Sequence, residues 1–298
     1  MTSVKYLVIT PARDEAQHLE ETIRCMVRQS IRPVKWVLVN DGSSDGTAAI
    51  IDSWASREPW IIAVHLPDRR GQSNAPNRGQ RALKAKEIEA FYEGFGFVAS
   101  EAWDFIVKLD ADLGFEPDYF ERCFAKFRDE AGLGVGGGVI CHLDGEQLQV
   151  ERTPRFHVRG ATKIYKRACW EAIGGVINGA GWDTVDEVKA NMLGWATRSF
   201  EDLRVIHYRH TGAANGVWNN AVKNGAWNYS VGYHPLFMVV KCAKNIFDRP
   251  FGIRGIGLFW GFVGGYLRRL PQLDDVRVIR YLRQQQIRKL SFREGIWH

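Results

Sequence analysis

The feature that most constrains this chain is an alternation: over residues 6–112, short β-rich runs take turns with stretches of helical period, and three of the runs end in polar or acidic side chains. Residues 6–9 read as a buried strand, and residues 15–29 place Leu19, Ile23, Met26 and Val27 on one helical face. Residues 34–39 read as a second strand ending at Asn40-Asp41-Gly42, residues 47–55 as a helix and residues 61–66 as a third strand. A loop rich in Gly, Asn and Pro (71–79) leads into a helix through about Tyr92, and residues 103–109 form a fourth strand ending in Asp110-Ala111-Asp112. This is the pattern of βαβ units on a mostly parallel sheet with flanking helices, an α/β class. Polar side chains gather at the carboxyl ends of strands one, two and four, where open α/β sheets bind ligands.

The 298 residues are 45% hydrophobic and 25% charged, enough to bury a core and incompatible with a disordered or fibrous chain. The net charge of +6 is unevenly spread. Residues 236–298 hold twelve basic and four acidic side chains, a net of +8, which leaves residues 1–235 at −2. A mildly acidic body with a basic, Trp-bearing tail points to an anionic surface such as a membrane and away from nucleic acid, whose binders spread Lys and Arg over the folded face. The expected division is a body of residues 1–235 and a basic helical extension of residues 236–298 that associates with the membrane. Within that extension, residues 255–267 are uncharged and mostly apolar, fewer than the roughly 20 needed to span a bilayer. Val276, Ile279, Leu282, Gln286 and Leu290 then recur at helical spacing among Arg277, Arg280, Arg283, Arg288 and Lys289. That suits a helix lying in a membrane interface, the competing reading being a basic helix packed on its own domain. Five scattered cysteines without a CxxC pair suggest neither disulfides nor zinc, and the first apolar run is too short for a secretory signal, so a cytoplasmic, peripheral protein is expected.

Asp110 and Asp112 stand two apart at a strand end, so in extended backbone both carboxylates point to one side and can hold a hard divalent cation such as Mn2+ or Mg2+. Acidic residues after strands are also ordinary turn formers. A second acidic turn, residues 41–47, follows another strand; Asp45 or Thr47 would cap the next helix, whereas Asp41 has no such duty. Residues 132–137 formally match GxGxxG, but they run on into Gly138-Val139-Ile140-Cys141, which reads as strand, so no helix N-terminus would receive a phosphate.

In order along the chain stand Thr10-Pro11-Ala12-Arg13-Asp14-Glu15, Val39-Asn40-Asp41-Gly42-Ser43-Ser44-Asp45-Gly46-Thr47, Asn77-Arg78-Gly79, Lys108-Leu109-Asp110-Ala111-Asp112, Arg159-Gly160, Ile173-Gly174-Gly175 and Trp182-Asp183-Thr184. This ordered set resembles the family 2 glycosyltransferases of bacterial polysaccharide biosynthesis, over roughly residues 4–212. The resemblance implies a GT-A fold, a Rossmann-like mostly parallel sheet, and a nucleotide-diphosphate sugar as donor, with UDP the expected nucleotide. It places Thr10, Pro11, Ala12, Arg13, Glu15, Asp41 and Asn77 at the nucleotide, and Asp110, Ala111 and Asp112 at ribose, metal and diphosphate. Arg159 would meet phosphate, Trp182 would stack on a sugar ring, and His207 would complete a metal site with Asp112 and Asp110.

Inverting members of that family use a carboxylate base eleven residues before a Gly-aromatic pair. Gly194-Trp195 supplies the pair and Asp183 stands at that spacing, with Trp182 where the family has Glu. Asp183 is therefore the first catalytic candidate, with Asp186 and Glu187 one turn on; favourable charge in a helix's first turn is the competing reading, with Asp183 as N-cap. The acceptor implied is a lipid-linked saccharide at the inner face of the cell membrane. Rivals are sugar transfer to a polyprenyl phosphate, a sugar-nucleotide-forming nucleotidyltransferase, and a non-catalytic membrane-bound scaffold.

Overall fold

The computed structural model describes residues 4–68, 85–145, 147–151, 153–209, 216–247 and 251–297. Its contacts divide the chain into two compact units, one of residues 1–73, 86–176 and 193–209, the other of residues 74–85, 177–192 and 210–298. The segment 177–192 thus groups with the C-terminal helices, a division that alternation along the chain does not reveal.

In the first unit the alternating pattern becomes β1 (Tyr6–Ala12), α1 (Leu19–Val27), β2 (Lys35–Asp41), α2 (Thr47–Ala55), β3 (Ile61–Leu66), α3 (Lys86–Gly96) and β4 (Phe105–Leu109). β5 (Leu113–Phe115), α4 (Tyr119–Asp129), β6 (Leu133–Asp144), β7 (Gln147–Val150), β8 (Thr162–Lys166), α5 (Arg167–Ile173) and β9 (Ala196–His207) follow. The strands make one sheet in the order β3-β2-β1-β4-β8-β6-β9-β5, with β7 on β6. The expected parallel pairing holds across β3, β2, β1 and β4. Beyond them β8 runs antiparallel to β4 and β6, while β9 is parallel to β6 and antiparallel to β5. Apolar runs such as Tyr6–Ile9 and Trp36–Val39 are fully buried because the sheet is covered on both faces. α1 seats Leu19, Ile23 and Met26 in that core, together with Thr22 and Cys25.

Glycines explain the second half of the sheet. β6 carries Gly136, Gly137 and Gly138, where a Cβ would fall 2.5 Å from the Phe200 ring, 2.2 Å from the Thr162 carbonyl oxygen and 2.5 Å from that of Leu203. The GxGxxG match is therefore strand, with glycines that admit neighbouring backbone.

The second unit holds five helices among its described residues: α6 (Trp182–Met192), α7 (Gly216–Ser230), α8 (Pro235–Ile246), α9 (Ile253–Leu267) and α10 (Val276–Leu290). Its core joins Val185 and Val188 to Tyr229, Met238, Leu258, Phe262, Val278 and Leu282. α9 lies on α7 through small residues: a Cβ on Gly261 would stand 2.0 Å from the Val222 carbonyl oxygen, and one on Gly225 2.1 Å from that of Leu258. α10 differs from the face read in the sequence. Leu282 and Gln286 are wholly buried with Val278 and Gln285, while Val276 is exposed, so this helix spends its apolar stripe inside the unit. Among the described residues no helix is long and apolar enough to cross a membrane.

Candidate functional site

At the carboxyl ends of β1 and β2 the loops are stitched together by side chains. Asp14, held at φ +52°, donates from its N–H to Ser43 Oγ at 3.1 Å and accepts at Oδ1 from the Ser44 N–H at 2.7 Å. The Glu15 N–H donates to Thr47 Oγ1 and the Ala16 N–H to Asp45 Oδ2. Asp45 also accepts from the Thr47 N–H at 3.0 Å and so builds the turn, but the expected cap is not made by Asp45 or Thr47, because Gly46 occupies the N-cap of α2. Gly42 has φ +65°, and a Cβ there would lie 2.5 Å from Asp68 Cα, so only glycine fits between Asp41 and that backbone. Asp41 is buried and faces Arg13 Nη1 at 3.6 Å, while Arg13 Nη2 reaches Asp68 at 2.8 Å. Thr10 does something else. Its side chain is fully buried and accepts from Trp36 Nε1 at 3.0 Å, so its hydroxyl serves the sheet interior. Pro11 is half-buried and Ala12 buried at the end of β1. Asn77 lies outside the described residues.

The Asp110-Ala111-Asp112 segment is a bend between β4 and β5, pinned on three sides. The Asp110 N–H donates to the Ala161 carbonyl, Thr22 Oγ1 to the Ala111 carbonyl at 2.9 Å, and the Tyr208 N–H to the Asp112 carbonyl at 3.0 Å. So fixed, the carboxylates of Asp110 and Asp112 and the imidazole of His207, at the end of β9, bring ligand atoms within 4.8 Å of one another. Asp112 Oδ2 meets His207 Nε2 at 3.1 Å, both side chains being largely buried. Burial opposes the charge on Asp112, but the hydrogen bond and charge of His207, with Arg209 beyond, outweigh it and hold this carboxyl below the usual range. Burial likewise opposes a proton on His207, yet Asp112 and Asp110 pull its pKa up. Desolvation raises Asp110, opposed by the Lys108 ammonium, which donates to Asp110 Oδ1 from a buried position.

Two carboxylates and an imidazole form a donor set suited to a divalent cation. The buried Nδ1 of His207 has no hydrogen-bond partner among the described residues, an orphaned donor-acceptor atom beside a cluster of acids. Glu15 feels the same cluster: burial first, then Asp112 and Asp110, push its carboxyl up to about 7 despite Arg209, whose Nη2 lies 2.5 Å from Glu15 Oε2. Three carboxylates thus meet here against Lys108, Arg209 and His207, an arrangement in which a bound cation would join the local charges that set each group's ionisation.

Arg159 pairs with Glu151 at 3.0 Å, and its charge weighs against a proton on His207. In the second unit Trp182 is buried and opens α6, and Asp183 stands in the first turn instead of capping it: the N–H groups of Thr184 and Val185 donate to the Gly181 carbonyl. Asp186 and Glu187 are buried, and Asp186 Oδ1 accepts from the Glu187 N–H at 2.7 Å. Asp183 is the only half-buried one of the three, the others being essentially closed to solvent. Two participants escaped the sequence reading. Lys108 precedes Asp110 by two residues inside a quoted motif and Arg209 follows His207 by two, a period-two spacing that could have drawn notice to both.

Residues 7–181, more than half of the chain, match the model of Glycosyl transferase family 2. The chain belongs to that family. It is 30% identical over 124 residues to succinoglycan biosynthesis protein ExoA of Rhizobium meliloti, covering 41% of this chain and 32% of that one. It is 26% identical over 158 residues to polyprenol monophosphomannose synthase of Mycolicibacterium smegmatis, covering 51% of this chain and 54% of the other. The chain thus spans about a third to a half of the length of these curated relatives. Among solved structures it resembles the mannosyltransferase PcManGT from Pyrobaculum calidifontis in complex with GDP-Man and Mn2+, with a TM-score of 0.53 at 17% identity over 98% of this chain and 76% of that one. It also resembles S. aureus TarS residues 1–349 in complex with UDP-GlcNAc, with a TM-score of 0.51 at 13% identity over 96% of this chain and 81% of that one. These likenesses show the GT-A fold.

Proposed function

We propose that this family 2 protein is a metal-dependent, inverting glycosyltransferase that moves a sugar from a nucleotide-diphosphate donor, UDP-linked by preference, to a lipid-linked saccharide in cell-surface polysaccharide synthesis. It would act peripherally at the cytoplasmic face of the membrane. The observation that carries the reading is the convergence of Asp110, Asp112 and His207 at the carboxyl end of the sheet of a family 2 fold. The family membership and the relative named for succinoglycan biosynthesis support the pathway class. Neighbours solved with GDP-Man and Mn2+ and with UDP-GlcNAc support the donor class.

Asp112, Asp110 and His207 would hold Mn2+ or Mg2+. When bound, such a cation stabilises the charge that develops on a diphosphate leaving group. Asp41 would accept from a ring N–H of the base, with Arg13 fixing the carboxylate. The loop residues Pro11, Ala12 and Glu15 would line the nucleotide, with Asn77 joining them; Ala111 would sit beneath the ribose, and Arg159 would meet phosphate. Thr10 would contribute through the strand it secures. Asp183 is the proposed base, taking the proton from the acceptor hydroxyl as oxygen attacks the anomeric carbon; its half-buried position favours it over Asp186 and Glu187. Trp182 would present an aromatic face to a sugar ring.

Transfer to a polyprenyl phosphate is the second reading, favoured by the match to polyprenol monophosphomannose synthase. An acceptor phosphate is already ionised and needs less help from a base. Asp183→Asn separates the two. With a saccharide acceptor, turnover of sugar from donor to acceptor falls by about 100-fold or more while Mn2+-dependent nucleotide binding is retained. Transfer that survives the substitution supports the polyprenyl phosphate.

A further inference from the structure

α9 seats Leu258 and Phe262 in the core of its unit and leaves a second set of large apolar side chains outward. Ile253, Ile256, Trp260 and Leu267 recur at spacings of three, four and seven residues and are exposed, with Phe259 beside them. The side toward α7 buries Gly257, Gly261 and Gly265, where a Cβ would meet the Ala221 side chain, the Val222 backbone and the Tyr229 ring. The neighbouring α8 repeats the pattern: Leu236, Val239 and Val240 are exposed, and Phe247 just past its end is 78% exposed.

The charges along this stretch are predominantly basic. Between residues 216 and 273 the sequence holds seven Lys and Arg and a single acid, Asp248. Lys244, Arg254, Arg268 and Arg269 are exposed on the described part of it. A second copy of the chain seated on this face would bring like charges together, whereas an anionic lipid surface supplies both the apolar layer and the countercharge. α9 rises only about 22 Å at 1.5 Å per residue, too short to cross a hydrocarbon core of about 30 Å. It can lie in one leaflet.

We propose that the outward face of α8 and α9 is the membrane-docking surface, with Phe259 and Trp260 entering the headgroup–acyl boundary of an anionic bilayer. This rests on and sharpens the membrane part of the functional reading, and it moves the contact away from α10, whose apolar stripe is consumed inside the unit.

The test is co-sedimentation of the full chain with vesicles of phosphatidylcholine alone and of phosphatidylcholine with about a third phosphatidylglycerol. The proposal expects binding to the second only, and a loss of about tenfold or more in partitioning for the double variant Phe259→Glu/Trp260→Glu. Val276→Glu, on the exposed start of α10, keeps wild-type binding, and each variant keeps its melting profile. Removing divalent cation with a chelator leaves partitioning unchanged, so a failure of the metal reading and a failure of this one give different results. Wild-type protein that ignores both vesicles, a Phe259→Glu/Trp260→Glu variant that still binds, or a wild-type dimer that this variant turns into a monomer would each overturn the proposal.

Discussion

Asp112 and His207 hold each other in charge states that a cation must rearrange. Asp112 is kept ionised, and His207 is drawn toward protonation by the same contact. A metal ligand must offer a free lone pair, so binding a cation through His207 releases whatever proton it carries. The sign follows from the direction of the shift. Because the pKa of His207 is raised above its ordinary 6.5, competition from the proton persists past that pH and fades only above the raised value. Calorimetric Mn2+ affinity is therefore expected to strengthen as pH rises from about 6 to 8, and His207→Gln to flatten that dependence while weakening binding overall. A pH-independent affinity in the wild type would remove His207 from the ligand set. The protonated pair carries the opposite consequence for the metal-free fold: the stability His207 gains from Asp112 is fully present below 6.5 and is lost as pH climbs through the raised value.

At the scale of elements, the acidic turn after β2 depends on one backbone position. Gly42→Ala puts a side chain at φ +65° and 2.5 Å from Asp68 Cα, and is expected to cost about 1–3 kcal/mol in denaturant unfolding and to displace Asp41 from Arg13. An unchanged midpoint would mean that the turn tolerates a different path. The strand and helix alternation of the first unit was legible because each element there buries apolar residues against the sheet, and burial leaves a period in the sequence. Less could be read where position depends on close approach or on polar residues. β9 begins through Thr197 and Ser199, which are buried because they donate to the carbonyls of Phe156 and His157, and their polarity hides that half of the strand, whereas residues 203–206 before His207 read as strand. β5 is three residues long, too short for any period. In α9 and α10 the apolar positions were visible but their partners were not. Periodicity reports that a face is apolar and says nothing of what will cover it; the glycine contacts between α7 and α9 show which side of α9 protein covers, and they depend on three-dimensional approach.

Across the whole molecule the candidate side chains belong to two units: Asp41, Asp110, Asp112 and His207 to the first, Asp183, Asp186 and Glu187 to the second. The ordered motifs drew attention to these positions because most stand at the end of a strand or the start of a helix, although Asp186 and Glu187 are buried within α6. Arg209 and Lys108 carried a period-two hint beside His207 and Asp110, but the fold alone shows that Arg209 faces Glu15 and Lys108 faces Asp110. The charge split along the chain belongs to this scale too, and it is the unit of helices α6 to α10 that carries the basic excess. The central claim is that Asp110, Asp112 and His207 hold a divalent cation on which recognition of a nucleotide diphosphate depends. Isothermal calorimetry of wild-type and Asp112→Asn protein against UDP, GDP and dTDP, each with and without Mn2+, tests it directly. The account predicts Mn2+-dependent binding of one nucleotide by the wild type and a loss of about 100-fold in the variant. Equal binding with and without the ion, or by both proteins, would contradict it.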